Sequence, residues 1–336
     1  MSSSLIFLTG GTGFIGSHVT LAVLKSGYRV RLSVRRSDQE AAIMKLFPAY
    51  RSQIETVVIP DITRREAFVE ALKDVDHVFH LASPMPGQGV DVRKDYVDPA
   101  VHGTTSMLYA ALDYPQIKNI IVMSSILALV DIKTPIDGPV VLSENTGGVI
   151  PIDLDMKEFE QEGMQGHGMK YRASKILAHQ ATRDFLQKEK PSYTVLTFHP
   201  SFVLGEDFAQ ESPEQMRGMM SFLWMSLSFE KPILASAWVH VEDVAKAHVN
   251  AITTSTPIAS GTEFILSAPP FPWEEAIAHL EETYPFLECK LQGPFGPIYE
   301  LPDLAAENIL GIKWTSKEKI MDDVMNQQLS LRANHA

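Results

Sequence analysis

The chain has 336 residues, a length that corresponds to about two domains. Apolar residues make up 45% and charged residues 21%, a composition typical of a folded globular protein. Lys and Arg number 29 against 41 Asp and Glu, and the resulting charge of −12 argues against a protein that binds the nucleic-acid backbone. A single cysteine, Cys289, excludes an internal disulfide and a CxxC metal or redox motif, and it is consistent with a reducing, cytoplasmic location.

Short apolar runs alternate with helical periodicity over the first 200 residues. The runs predict strands at residues 5–8, 30–34, 55–59, 77–81, 119–123 and 194–198. The periodic segments predict helices at residues 15–26, 38–47, 64–72, 102–112 and 171–188. Because strands and helices alternate strictly, we predict an α/β fold with a doubly wound parallel sheet of the Rossmann type.

The alternation ends after Pro200. Residues 201–235 are rich in Met and Phe, residues 241–253 again predict a helix, residues 262–266 predict a strand, and prolines cluster further on. We therefore predict a sheet domain and a smaller, discontinuous C-terminal lobe. The predicted division is residues 1–200 with 236–267 for the sheet domain, and residues 201–235 with 268–336 for the lobe.

A glycine-rich segment follows the first predicted strand directly. Gly10, Gly13 and Gly16 have G-x-x-G-x-x-G spacing and stand just before an amphipathic helix. Such glycines allow a tight turn and close approach to a pyrophosphate, which then meets the free N–H groups of the helix. The strand–loop–helix context favours a dinucleotide site over a purely structural turn. The residues predicted to form it are Thr9, Gly10, Gly13, Phe14, Ile15 and Gly16.

The end of the second strand distinguishes between two dinucleotides. NAD-binding proteins usually place Asp or Glu there to bind the ribose 2′-OH, whereas this chain has Arg35 and Arg36 and no carboxylate before Asp38. Guanidinium groups suit a 2′-phosphate, so NADP(H) is predicted; the alternative is a pair of solvated surface arginines. After the third strand, Asp61 and Ile62 are expected near the adenine.

Candidate catalytic groups come from a predicted helix and from the end of the fifth strand. Tyr171 and Lys175 are four residues apart and therefore share a helix face. A cation beside a phenol favours proton transfer between that phenol and a carbonyl or alcohol oxygen, although the spacing alone also describes many exposed Tyr–Lys pairs. Ser124 and Ser125 lie at the carboxyl edge of the sheet, where a hydroxyl can hold a substrate oxygen or simply cap the backbone.

Together these motifs resemble the extended short-chain dehydrogenase/reductases. Within that group the chain resembles the branch of dihydroflavonol reductase, cinnamoyl-CoA reductase and yeast methylglyoxal (aldehyde) reductase. The similarity covers nearly the whole chain, and its additional motifs are residues 79–85, 99–103, 200–205 and 239–248.

The resemblance implies a role for individual residues. Tyr171 matches the proton donor, Lys175 the residue that binds the nicotinamide ribose, and Ser125 the residue that orients the carbonyl. The other cofactor contacts that it implies are Leu81, Ala82, Ser83, Pro200, Ser201 and Val203. Pro84 and Phe202 are expected beside the substrate, with Phe222 and Trp224 of the lobe.

Three departures from the pattern of this branch leave the substrate open. Met123 replaces the usual Thr, and Glu206 replaces the Pro that usually follows Gly205. The segment before Tyr171, residues 163–169, is unusually rich in glycine for one that normally shapes the substrate pocket. The Met- and Phe-rich residues 216–229 are either core or a deformable pocket lid, and we favour the lid.

The function expected from these features is reduction of a small or aromatic aldehyde or ketone by NADPH, in a monomer or homodimer. One alternative is a nucleotide-sugar epimerase or dehydratase, which tends to have an Asn where this chain has His199 to Ser201. The other is a non-catalytic NADP-binding sensor, which the intact set of Ser125, Tyr171 and Lys175 disfavours.

No membrane, nucleic-acid or metal partner is expected. The apolar residues 5–8 are far shorter than the ~20 residues that span a bilayer, and no basic segment precedes them. The 11 histidines form no HExxH motif, and His77 and His80 are predicted on opposite faces of a strand.

Overall fold

The computed structural model describes residues 4–83, 89–134, 140–296, 298–302 and 304–335. Among the predicted site residues, Pro84 lies outside these ranges, so its predicted place beside the substrate stays a prediction.

Seven parallel strands of the described chain form the central sheet: β1 (Leu5–Thr9), β2 (Arg29–Val34), β3 (Ile54–Val58), β4 (His77–His80), β5 (Asn119–Met123), β6 (Thr194–Pro200) and β9 (Glu263–Leu266). Their order across the sheet is β3-β2-β1-β4-β5-β6-β9. This is the doubly wound Rossmann topology, which confirms the predicted fold class. The strand order reverses between β1 and β4, so the carboxyl ends of these two strands border the crevice where such sheets bind ligands.

Helices cover both faces of the sheet. In chain order the helices are α1 (Phe14–Lys25), α2 (Gln39–Leu46), α3 (Asp98–Ala111), α4 (Gly163–Glu189), α5 (Gly218–Ser226), α6 (Val241–Thr253), α7 (Trp273–Thr283), α8 (Ala305–Leu310) and α9 (Lys317–His335). On one face Val19 and Val244, from α1 and α6, pack against the strands, and on the other Met107 and Phe185, from α3 and α4, do so. Since both faces are covered, all five residues of β1 are buried, which is why the strands appear in the sequence as continuous apolar runs.

Two predicted helices differ from the observed ones. Residues 64–72, predicted as a helix, contain only a short 3-10 segment, Arg65–Phe68. The apolar spacing arises because Phe68 and Leu72 are buried, and it does not require α turns. Helix α4, predicted from residue 171, begins at Gly163. Glycine is a poor helix former, so the glycine-rich residues 163–169 did not predict the first two turns.

A separate apolar cluster joins residues of the predicted C-terminal lobe with Trp238 of the predicted sheet domain. Two short parallel strands, β7 (Phe202–Leu204) and β8 (Trp238–His240), pair beside it. Trp238 and Trp273 are buried there, and their rings pack edge to face with 5.4 Å between centroids. Ala306 of α8 packs with the sheet core instead, so the predicted division of the chain into two parts stays a proposal.

Membrane spans and metal clusters were sought in the described ranges. No helix there is both long and apolar enough to cross a bilayer. The same residues contain no group of three or more His, Cys, Asp or Glu side chains arranged to hold a metal ion.

Candidate active site

The glycine loop between β1 and α1 is packed so tightly that two positions exclude a side chain. A Cβ on Gly10, whose φ is +77°, would lie 2.8 Å from the Ala82 nitrogen, and one on Gly16 would lie 2.0 Å from the Gly10 carbonyl oxygen. Gly13 precedes α1 and supplies no side-chain cap to it. The first-turn N–H groups of α1 therefore have no partner within the helix or from a cap, an arrangement that fits a pyrophosphate.

The loop is joined to the end of β4 through Thr9. The Thr9 hydroxyl accepts a hydrogen bond from the Ala82 N–H at 3.0 Å and donates to His80 Nδ1 at 2.9 Å. Burial lowers the pKa of His80 to about 4, so the ring is neutral and Nδ1 can accept. These contacts place Leu81, Ala82 and Ser83 beside the glycine loop. Sequence reasoning missed His80, although strand register pairs it with Thr9.

The two arginines at the end of β2 have different surroundings. Arg36 forms an ion pair with Asp38 at 3.1 Å, and both side chains are exposed. The Arg35 side chain is also exposed, and no ion pair of its guanidinium occurs within the described ranges. Gln39 Oε1 accepts from the backbone N–H groups of both arginines, at 2.9 and 3.2 Å, which orders the turn. Of the two guanidinium groups, only that of Arg36 has an ion pair within the described ranges, and contact of Arg35 with a 2′-phosphate stays a prediction.

Asp61 and Ile62 follow β3. The Asp61 carboxylate accepts from the hydroxyl and the N–H of Thr63, at 2.6 and 2.9 Å, and these bonds lower the pKa of Asp61. Ile62 is partly buried against the sheet core. Their contact with an adenine stays a prediction.

Lys175 contacts both Tyr171, the predicted proton donor, and Ser83, which lies beside the glycine loop. Its ammonium donates to Ser83 Oγ at 3.0 Å and lies 5.4 Å from the centroid of the Tyr171 ring. Lys175 is buried, whereas Tyr171 is partly exposed. A small cavity beside Lys175 is also lined by Ser83 and Ser124. Two residues that the sequence places 92 positions apart, Ser83 and Lys175, thus meet at the carboxyl edge of the sheet.

Ser125 follows the carboxyl end of β5, and within the described ranges its hydroxyl takes part in a hydrogen bond only as an acceptor. Its Oγ accepts from the Leu127 N–H at 3.2 Å, and its carbonyl accepts from His199 Nδ1 at 3.0 Å. The Thr197 hydroxyl donates to His199 Nε2 at 3.1 Å. Burial lowers the pKa of His199 to about 3, so the ring stays neutral and holds the Ser125 backbone. In the sequence, His199 is recognisable only as a departure from the epimerase pattern.

Arg172 connects the helix of Tyr171 to the segment that follows Ser125. Its buried guanidinium donates to the carbonyl oxygens of Val130 at 3.3 Å and Thr134 at 3.0 Å. The segment that starts at Ser125 and helix α4 are therefore held side by side. Tyr171, Lys175 and Ser125 lie on adjoining elements, as a shared site requires.

The residues that follow β6 are fixed by backbone hydrogen bonds to neighbouring segments. The Ser201 N–H donates to the Leu266 carbonyl at 2.9 Å, and the Phe202 N–H donates to the Ala237 carbonyl at 3.1 Å. Pro200 ends β6, and Val203 is buried in the sheet core. The predicted contact of Pro200, Ser201 and Val203 with a nicotinamide stays a proposal.

Phe222 and Trp224 lie on α5 of the lobe, partly buried against its core. Met220 and Leu223 of the same helix are fully in that core, so the Met- and Phe-rich segment is core along one side. The Arg332 guanidinium stacks on Trp224, 4.4 Å from the ring centroid. The role of the exposed side of α5 in substrate binding stays a prediction.

Comparison with known proteins gives consistent matches. A family model described as the NAD dependent epimerase/dehydratase family matches residues 6–266. The chain is 34% identical to ketoreductase sphI of Aspergillus fumigatus over 339 residues, covering 98% of each protein. It is 31% identical to ketoreductase azaE of Aspergillus niger, covering 94% of this chain and 91% of that protein. The solved structure of yeast methylglyoxal/isovaleraldehyde reductase Gre2 complexed with NADPH has a TM-score of 0.84, with 23% identity and coverage of 98% and 99%.

Proposed function

We propose a function on the premise that the chain belongs to the NAD dependent epimerase/dehydratase family and to its extended short-chain dehydrogenase/reductase group. The proposed function is that of an NADPH-dependent carbonyl reductase with Tyr171 as proton donor. The observation that carries the proposal is the contact of Lys175 with both Tyr171 and Ser83 beside the glycine loop. The relatives named ketoreductase support an NADP-dependent oxidoreductase that acts on carbonyl groups.

Different residues of the cleft would bind the cofactor and act on the carbonyl. The first-turn N–H groups of α1 would hold the pyrophosphate, Arg35 the 2′-phosphate, and Lys175 the nicotinamide ribose. When bound, the nicotinamide supplies the hydride for the carbonyl carbon. The Tyr171 hydroxyl donates its proton to the carbonyl oxygen as negative charge develops there, and the Ser125 hydroxyl donates a hydrogen bond to the same oxygen.

The charges of the lobe favour an uncharged substrate. Arg217 lies 3.7 Å from the Asp207 carboxylate, and the Arg332 guanidinium stacks on Trp224, so both arginines already have partners. A sugar nucleotide or a coenzyme A thioester brings further phosphates that need cations. We therefore infer an uncharged, fairly hydrophobic aldehyde or ketone rather than an epimerase substrate. The cytoplasmic location and the monomeric or homodimeric state stay predictions.

A substrate panel tests the proposed function. We expect the purified protein to consume NADPH with aldehydes, diketones and aromatic ketones, followed by loss of NADPH absorbance. The same protein incubated with nucleotide sugars should give no epimerised product. Turnover of nucleotide-linked substrates alone would contradict the proposal, and so would failure of every carbonyl compound in the panel.

Substitutions on α5 test the role of the lobe. We expect Trp224→Ala and Phe222→Ala to change the ranking of carbonyl substrates, measured as kcat/KM, by about tenfold, while NADPH affinity stays within about twofold. The reason is that partly buried aromatic rings on the lobe would contact substrate and not cofactor. The matched control is Phe286→Ala, since Phe286 is a largely exposed aromatic residue of the same lobe. If the α5 variants and the control gave the same ranking as the unmodified protein, α5 would be core only.

A further inference from the structure

Polar residues continue along the face of α4 that carries Tyr171 and Lys175. They are spaced four residues apart and therefore follow one another down one side of the helix: Tyr171, Lys175, His179 and Arg183. His179, one helical turn beyond Lys175, has only 5% of its surface exposed. A histidine buried to this degree needs a hydrogen-bond partner for each of its two ring nitrogens.

One nitrogen of the His179 ring is held by a buried carboxylate. Glu263 of β9 accepts hydrogen bonds from His179 Nε2 at 3.1 Å, from Arg183 Nε at 2.8 Å and from the Asn145 N–H at 2.8 Å. Burial by itself raises the pKa of Glu263, but these hydrogen bonds bring it down to about 2. The carboxylate therefore has no proton to give, and the proton of its bond to the ring belongs to His179 Nε2.

The other ring nitrogen, His179 Nδ1, is buried and has no hydrogen-bond partner among the residues that the structure describes. A neutral imidazole carries one proton, so with that proton on Nε2 the nitrogen Nδ1 is an acceptor. Leaving such an acceptor buried without a donor is unfavourable, and ordered water is a common partner for buried polar atoms of this kind.

A small cavity joins His179 to Lys175. Both side chains line it together with Thr197, and about 10 Å³ of it is open to the centre of a water molecule, roughly the space that one buried water needs. The Lys175 ammonium has three protons, one of which goes to Ser83 Oγ. The Thr197 hydroxyl donates its proton to His199 Nε2, so its oxygen can still accept. The cavity therefore offers a water one donor and two acceptors.

We propose that one buried water bridges the Lys175 ammonium and His179 Nδ1, and that His179 is thereby a positioning residue for Lys175. The water accepts from the ammonium and donates to His179 Nδ1 and Thr197 Oγ1, while Glu263 holds the ring through Nε2. The ammonium is then fixed by Ser83 and by the water, which leaves its third proton for a nicotinamide ribose. The inference rests on the proposed function in one respect, the contact of Lys175 with the cofactor.

Two amide substitutions separate the two nitrogens of the His179 ring. Counted in bonds from Cβ, the amide of asparagine stands where Nδ1 is, and the amide of glutamine stands where Nε2 is. We expect His179→Asn to keep NADPH affinity within about threefold and His179→Gln to lower it about tenfold, the effect of one lost hydrogen bond to a charged group. Fluorescence titration of NADPH measures both. A role of His179 only as the partner of Glu263 predicts the reverse order.

The matched control is His248 of α6, which is also fully buried but does not line the cavity. His248→Asn and His248→Gln should have equal NADPH affinities, within about twofold of each other. Urea denaturation gives the free energy of unfolding of every variant, so a change in NADPH affinity is compared only between folded proteins.

A high-resolution crystal structure of the unmodified protein gives a readout that needs no catalysis. We expect density for one water within hydrogen-bond distance of both Lys175 Nζ and His179 Nδ1, and we expect the same water in His179→Asn but not in His179→Gln. No water between these two atoms in the unmodified protein would overturn the inference, and so would an NADPH affinity of His179→Gln equal to or above that of His179→Asn. Binding of NADPH without turnover of any carbonyl compound would overturn the proposed function alone.

Discussion

Replacing Tyr171 by phenylalanine is expected to lower kcat about 10²- to 10⁴-fold, the usual contribution of general acid catalysis, and to leave NADPH affinity nearly intact. Phenylalanine keeps the ring that lies beside the Lys175 ammonium and removes only the proton donor. Lys175→Met should lower both kcat and NADPH affinity, because this ammonium contacts Ser83 on the cofactor side as well as Tyr171. Steady-state kinetics and fluorescence titration of NADPH measure the two effects separately.

The chain offers a matched control for this experiment. Tyr109 of α3 also has a lysine above its ring, with Lys188 Nζ 5.8 Å from the centroid, but it is packed against the sheet core. Tyr109→Phe should therefore keep kcat within about twofold, since the substitution keeps the packed ring and lies away from Lys175 and Ser83. If Tyr171→Phe kept most of its activity, the proton would have to come from another group.

The second large effect is expected at Arg35. The unmodified protein should bind NADPH at least tenfold more tightly than NADH, and Arg35→Ala should remove about 10- to 100-fold of NADPH affinity, the effect of losing charge-assisted hydrogen bonds. NADH lacks the 2′-phosphate, so its affinity should change little. Arg35→Asp should abolish the preference, because a carboxylate there suits a ribose 2′-OH and repels a phosphate. Fluorescence titrations of both cofactors measure all of these affinities.

Arg36 is the control for this prediction. Its guanidinium already pairs with Asp38, so Arg36→Ala should lower NADPH affinity less than Arg35→Ala does. Equal affinities of the unmodified protein for NADPH and NADH would refute the assignment of the cofactor. A larger effect at Arg36 than at Arg35 would show that the ion pair with Asp38 opens when the cofactor binds.

Local patterns were sufficient to predict the sheet. All six strands predicted before residue 200 are present, and β5 is found at the predicted residues 119–123. Strands buried on both faces leave a continuous apolar run, which depends only on neighbouring residues. The predicted helix at 64–72 was wrong because apolar spacing reports burial and does not require α turns. Helix α4 was predicted too short because glycine has a low helix propensity, so residues 163–169 gave no helical signal. The backbone of Gly166 packs so closely on the Gln161 carbonyl oxygen that a Cβ would not fit there.

The chemistry of the site followed from the sequence where the spacing along one element was informative. Gly10 and Gly16 belong to one loop, and Tyr171 and Lys175 to one helix, so their relations are local. The contacts that complete the site join distant segments: Thr9 with His80, Lys175 with Ser83, and Ser125 with His199.

Fold class, cofactor type and the Tyr171–Lys175 pair were thus determined by the amino-acid order alone, because periodicity and short motifs reflect local backbone geometry. Which partner holds each of these groups was decided only by the tertiary structure. The ion pair of Arg36 with Asp38 distinguishes the two arginines, and the hydrogen bond of Lys175 to Ser83 joins helix α4 to the segment that follows β4. Such contacts depend on where strands end and where helices begin in space, and a helix start shifted by two turns is enough to change them.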